Sequence, residues 1–158
     1  MKQLDINEIL NRYETLINAS LDAVCVVDSD AKIVYANSMM KNFLSLKPRE
    51  LSRNPVFCEL IKLSVCDKTC QVKSALENGK SIRFDEAPGV LKGNKLRVNF
   101  KITPFSIDGV VGAIICLRDT TAELLTQAKY SKLLSISKKH EDQIEYHKDL
   151  LRKIRGTR

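Results

Sequence analysis

The segment Leu21 to Phe43, LDAVCVVDSDAKIVYANSMMKNF, has few ways to fold. The apolar run Ala23 to Val27 meets the turn formers Asp28, Ser29 and Asp30, and a second apolar run, Ile33 to Ala36, follows. Two β-branched runs parted by a short polar break predict a β-hairpin, because branched side chains pack well on a pleated surface while Asp and Ser favour turns. Asn37 and Ser38 then close the second strand and are natural N-caps for a helix starting at Met39. The predicted order is strand, turn, strand, asparagine, helix.

The first of these strands is apolar at every position, and so is Ala113 to Leu117 further on. Strands apolar on both sides belong to a sheet covered on both faces. Short helices of the same domain cover one face. The other is left to the N-terminal segment or to a second subunit. Residues 5–20 carry Ile6, Ile9, Leu10, Tyr13, Leu16 and Ile17 at helical spacing, an amphipathic helix of about four turns.

Between Leu44 and Asp67, Pro48 and Pro55 break the chain into short helical turns. Cys70 to Asn78 is predicted helical, with Val72, Ala75 and Leu76 inward and Gly79 at the C-cap. Ser81 to Glu86 reads as a third strand and Ala87-Pro88-Gly89 as a turn. Lys95 to Thr103 alternates Leu96, Val98, Phe100 and Ile102 as a half-buried strand, and Ser106-Ile107-Asp108-Gly109 holds a hairpin turn. Val110 to Leu117 is the fifth strand.

This succession resembles a PAS domain over about residues 20 to 122. The resemblance rests on Val26-Val27-Asp28, on Ile33-Val34-Tyr35 with Asn37, on the helix closed by Gly79, and on Arg118-Asp119-Thr120-Thr121, which is similar to the Asp-x-Thr ending of many PAS domains. It implies an α/β (α+β) fold: a five-stranded antiparallel sheet with short helices on one face, flanked by an N-terminal amphipathic helix and a long C-terminal helix. The domains expected are residues 1–20 (helix), 21–121 (PAS-like sensor domain) and 122–158 (signalling helix with a basic tail). At the last boundary Thr120 and Glu123 have capping-box spacing, and Asp119 adds negative charge at the positive end of the helix.

From Ala122 to Ile154 there is no glycine or proline, which predicts one long helix. Tyr130, Leu133, Ser137, His140, Ile144, His147, Leu151 and Ile154 are spaced alternately three and four, a heptad seam with polar interruptions. A lone helix polar on most faces is marginal in water, so a homodimer paired along Leu133, Ile144, Leu151 and Ile154 is expected.

The 158 residues, 44% hydrophobic and 28% charged, fit one soluble domain plus an appended helix. No stretch approaches the roughly 18 unbroken apolar residues of a membrane span, and the N-terminus lacks a signal-peptide core, so a cytoplasmic protein is expected. The net charge of +7 is concentrated at Arg152, Lys153, Arg155 and Arg158. Without a basic stripe interleaved with aromatics it predicts a solvated tail, not a nucleic-acid partner; an adaptor binding nucleic acid or protein through this end is a lesser alternative.

No catalytic constellation is present, and an enzyme is not expected. Both histidines fall in the C-terminal helix, so neither can activate a nucleophile in the globular part. His140-Glu141 has the histidine–acid pair of a sensor-kinase phosphoacceptor, but Asp142-Gln143-Ile144 lacks the arginine and proline that follow it there. Five cysteines without a secretory signal point to reduced, metal-bound or redox-active thiols. Cys58, Cys66 and Cys70 lie within thirteen residues; three thiolates can ligate zinc or an iron–sulfur cluster, or form a reversible disulfide. If Cys66 to Cys70 is helical, those two share a face. Cys25 and Cys116 are packing residues.

The family resemblance disfavours flavin, since no Asn-Cys-Arg-Phe-Leu segment occurs, and haem, since residues 40–80 hold no histidine. It leaves a small-molecule ligand in a pocket near Val26, Phe43, Leu60, Phe84, Val98 and Ile115, or none. The function expected is a sensory and dimerisation module, with Asp119, Thr120 and Glu123 relaying a ligand or redox signal to the C-terminal helix and an output partner. The chain either binds that partner or is the N-terminal piece of a longer sensor such as a histidine kinase. The rival is a metal or iron–sulfur redox sensor using Cys58, Cys66 and Cys70.

Overall fold

The computed structural model describes residues 5–156; Arg158 of the basic tail lies outside the described residues. The chain divides after Thr120 into two compact units. The first holds α1 (Ile6–Asn18), β1 (Ala23–Asp28), β2 (Ile33–Ala36), α2 (Ser38–Leu44), α3 (Pro48–Leu51), α4 (Phe57–Leu60), β3 (Lys62–Leu63), a 3₁₀ turn (Ser64–Cys66), α5 (Gln71–Asn78), β4 (Ile82–Leu91), β5 (Asn94–Ile107) and β6 (Val110–Asp119). The second is a single helix, α6 (Thr121–Arg155).

All sheet pairs are antiparallel, in the order β2-β1-β6-β5-β4-β3. The two apolar runs, in β1 and β6, lie side by side, with Cys25 opposite Ile115. Ala23, Cys25, Val27, Ala113, Ile115 and Leu117 turn to the main core, where Met40 of α2, Phe57 of α4 and Val72 and Ala75 of α5 meet them. Val24 and Val26 face the other way, yet both are buried. Tyr35 lies opposite Val26 and is hydrogen-bonded by Asn18 near the end of α1. The amphipathic helix therefore covers this part of the second face, and Leu10 is its buried residue.

Asn37 joins these layers. Its carboxamide oxygen accepts from the amides of Val24 (3.0 Å) and Met40 (2.9 Å), and its NH₂ donates to the carbonyls of Ile17 (3.1 Å) and Asp22 (3.0 Å). The side chain is fully buried and all four of its bonds are made. One residue thus caps α2 and fixes the end of α1 against the first strand.

The sheet has six strands, one more than expected, and the difference lies around Gly89. Ala87-Pro88-Gly89 is not a turn: β4 runs through it, with a bulge between Phe84 and Ala87 where Glu86 takes φ +54° and donates its amide to Asn99 Oδ1. Gly89 pairs with Leu63 of the added strand β3, and a Cβ there would lie 2.8 Å from the Leu63 side chain and 3.2 Å from the Lys62 carbonyl. Its glycine serves close approach, not reversal. The reversal comes at Lys92-Gly93, both at positive φ, and the next at Asp108-Gly109 in the same conformation. Paired positive φ values make type I′ turns, whose twist suits a two-residue hairpin.

In the second unit, none of the described residues of α6 is buried. Among the described residues no helix is long and apolar enough to cross a membrane.

Candidate functional site

The interior between sheet and helices gathers five of the six residues expected to line a pocket. Val98 and Ile115 are fully buried; Phe43, Leu60 and Phe84 pack at the margin of the same core. Val26 is on the opposite face of β1, because its neighbours Cys25 and Val27 take the inward positions. Phe100 lies at the centre, with Phe57 stacked at 6.0 Å and Phe84 at 6.1 Å between ring centroids. Such stacks add roughly 0.5–1.5 kcal/mol per pair beyond the area they bury. This interior is thus apolar and aromatic, and among the described residues every buried side-chain nitrogen and oxygen already has a partner.

The reactive groups stand beside this stack. Cys58 follows Phe57 on α4, Cys66 ends the 3₁₀ turn, and Cys70 is the N-cap residue of α5. Cys66 and Cys70 do not share a helix face as expected, since the helix begins only at Gln71. The third thiol brings the cluster together: Cys58 Sγ is 3.3 Å from Cys70 Sγ, and Cys58 is the first cause of the shift at Cys66. All three are only partly buried, whereas Cys25 is wholly enclosed.

Their electrostatics differ sharply. The Cys66 thiol is lowered to about 6, first by the hydrogen bond from Cys58 and then by the Gln71 backbone amide, which together outweigh burial and the nearby Asp67. Cys58 is pushed up, because its proton is held between sulfurs and it is partly desolvated. The pair is thus biased toward a thiolate at Cys66 with the proton on Cys58. Gln71 also donates Nε2 to the Val65 carbonyl at 2.9 Å, tying the start of α5 to the turn carrying Cys66. Sequence reasoning missed Gln71; its only signal was a polar residue right after Cys70. Burial lifts Cys25, with Cys116 adding to it, and burial lifts Cys116 too, as expected of packing residues. Among the described residues no three His, Cys, Asp or Glu side chains are arranged to hold a metal ion.

The expected relay residues fall at the end of β6 and the start of α6. Asp119 is the last residue of β6 and Glu123 lies in the first turn of α6. Thr120 is buried, and its amide and hydroxyl both donate to the Arg97 carbonyl, at 2.8 and 3.2 Å. A hydroxyl that donates still has lone pairs free to accept at a helix start. On α6, Leu133, Ile144, Leu151 and Ile154 are 64, 55, 55 and 66% exposed, so the whole apolar seam faces outward.

Residues 11–85 match the family model described as the PAS fold. Among solved structures, the PAS domain of a protein from Colwellia psychrerythraea is 22% identical with a TM-score of 0.57, over 72% of this chain and 98% of that one. The PAS domain of an HTR-like protein from Haloarcula marismortui is 21% identical (TM-score 0.54; 72% and 93% covered), and that of nitrogen regulation protein NR(II) from Vibrio parahaemolyticus 17% (TM-score 0.54; 66% and 94% covered). At these identities the likeness is one of fold. No curated protein matches the sequence.

Proposed function

We propose, on the premise that this chain carries a PAS domain, that it is a cytoplasmic sensory and dimerisation module whose long C-terminal helix pairs with that of a second copy and carries the signal to an output domain or partner protein. The observation behind this is the α6 seam. Four large apolar side chains at heptad spacing, each more than half exposed, form a stripe that a single helix leaves in water. Burying a leucine or isoleucine contributes about 1.5–3 kcal/mol, and a homodimer buries each of them twice. A parallel pairing brings like positions together, so the same seam serves both helices.

Asp119, Thr120 and Glu123, where the strand passes into the helix, are the relay in this proposal. A shift in the strand ladder changes which of two helix registers is favoured, and the ligand or redox event need only bind or stabilise one of them. No reaction is assigned to the protein. Sedimentation of the full chain tests the reading: the native sequence should run as a dimer, and Leu133→Glu with Leu151→Glu should run as a folded monomer. A monomeric native protein at high micromolar concentration would rule it out.

A further inference from the structure

We propose that Cys58, Cys66 and Cys70 form a hydroperoxide-reactive dithiol–disulfide site, in which Cys66 reacts first, Cys58 resolves it and Cys70 receives the bond by exchange. Cys58, Cys66 and Cys70 are partly open and converge from three separate elements at the margin of the core. Cys58 is central to the trio: its sulfur is 3.3 Å from that of Cys70, and it is the group that most strongly lowers the Cys66 thiol. The Cys58 thiol and the Gln71 amide at the start of α5 both lower the Cys66 thiol, which favours its thiolate.

The chemistry closes on these groups and one oxidant. The Cys66 thiolate attacks the outer oxygen of a hydroperoxide; an S–O bond forms, the O–O bond breaks, and the alcohol departs with a proton from solvent. Cys66 is oxidised by two electrons to the sulfenic acid and the peroxide is reduced. Cys58 Sγ then attacks Cys66 Sγ, an S–S bond forms, and hydroxide leaves to join the proton released by Cys58 as water. The sum is two thiols and one hydroperoxide giving one disulfide, one alcohol and one water. Cys70 next attacks Cys58 Sγ and expels Cys66, which leaves readily because its thiolate is the stabilised one. Oxidation state is unchanged, and the bond now links α4 to the start of α5. Phe57, stacked on Phe100, is the residue beside Cys58, so the new crosslink bears directly on the aromatic stack.

This chemistry supplies an input for the sensory module but does not depend on helix pairing. The reduced chain is treated with one equivalent of hydrogen peroxide, alkylated, and mapped by peptide mass spectrometry. The proposal expects one intramolecular disulfide containing Cys58, with Cys25 and Cys116 recovered as alkylated thiols. Cys70→Ser should halt at the Cys58–Cys66 bond. Cys58→Ser should accumulate a Cys66 sulfenic acid that dimedone labels. Cys66→Ser should oxidise at least tenfold more slowly at neutral pH. First oxidation at Cys25 or Cys116, an unchanged rate in Cys66→Ser, or stoichiometric zinc or iron that shields the trio from alkylation would each overturn it.

Discussion

Asn37 and Val24 hold each other twice: the Asn37 carboxamide oxygen takes the Val24 amide at 3.0 Å, and the Val24 carbonyl takes the Asn37 amide at 2.9 Å. Because the same side chain also reaches Met40, Ile17 and Asp22, the first strand, the N-terminal helix and α2 are positioned through one carboxamide. Replacing it strands four backbone groups, of which those of Val24 and Met40 are buried.

Asn37→Leu should therefore destabilise the protein by about 3 kcal/mol or more, since each unsatisfied buried partner costs roughly 1–3 kcal/mol. Asn37→Asp should be nearly as damaging despite its shape, because a carboxylate cannot donate to the Ile17 and Asp22 carbonyls and is held against them. Urea unfolding of the full chain reads both. A loss below the cost of an ordinary N-cap, about 1 kcal/mol, would mean the long-range bonds contribute nothing.

Gly112 should tolerate no side chain. A Cβ there would stand 2.5 Å from the Val27 carbonyl and 2.7 Å from the Phe105 ring, and the carbonyl belongs to the neighbouring strand β1. Gly112→Ala is expected to cost about 2–4 kcal/mol, in the range of overpacking and strand displacement. Gly109→Ala, at φ +81° with open space around it, should cost only about 1 kcal/mol, the backbone penalty alone. Reversal of that order in thermal melts would show that strand β6 can move away from β1.

Iodoacetamide should alkylate Cys66 with a midpoint near pH 6, the value to which its thiol is lowered, and well below an ordinary cysteine. Stability follows with a definite sign. Between about pH 6 and the ordinary thiol value of 9.0 the unfolded chain holds a proton at Cys66 that the folded one has released, so stability should rise with pH across that window and be lost as pH falls through 6. Cys58 works oppositely: its folded thiol is raised, so its contribution is present below 9.0 and declines as pH rises beyond it. Cys66→Ser should flatten the rise between pH 6 and 9 in denaturation measured under reducing conditions.

What the sequence disclosed and what it hid divide by the range of the interaction. The hairpin, the Asn37 cap, the Gly79 stop and the Asp108-Gly109 turn depend on residues a few positions apart, and all are in place. Asn37's bonds to Ile17, Asp22 and Val24 join segments that only the fold brings together. Gly89 misled for the same reason: beside Ala87 and Pro88 it looks like a turn, and only Leu63 on another strand explains why a glycine stands there. Val26 belongs to a run apolar at every position, and such a run carries no alternation to say which side is inward. Among the cysteines, proximity was legible, but the central place of Cys58 needed α4 folded against the start of α5.

The margins of the sheet carry one more consequence. On the outer side of β4, the two-residue β3 pairs at Gly89 and Val90, so among the described residues the length from Ile82 to Pro88 has no partner strand there. That length presents Arg83, Asp85 and Glu86, breaks its pleat at the bulge, and ends on Pro88, which has no amide hydrogen to offer. Charge, irregular twist and a missing donor are the devices that keep open edges from recruiting foreign strands. A concentrated solution of this protein should consequently resist fibril growth from its sheet, and unwanted aggregation, where it occurs, should start from chains that have lost this edge by unfolding.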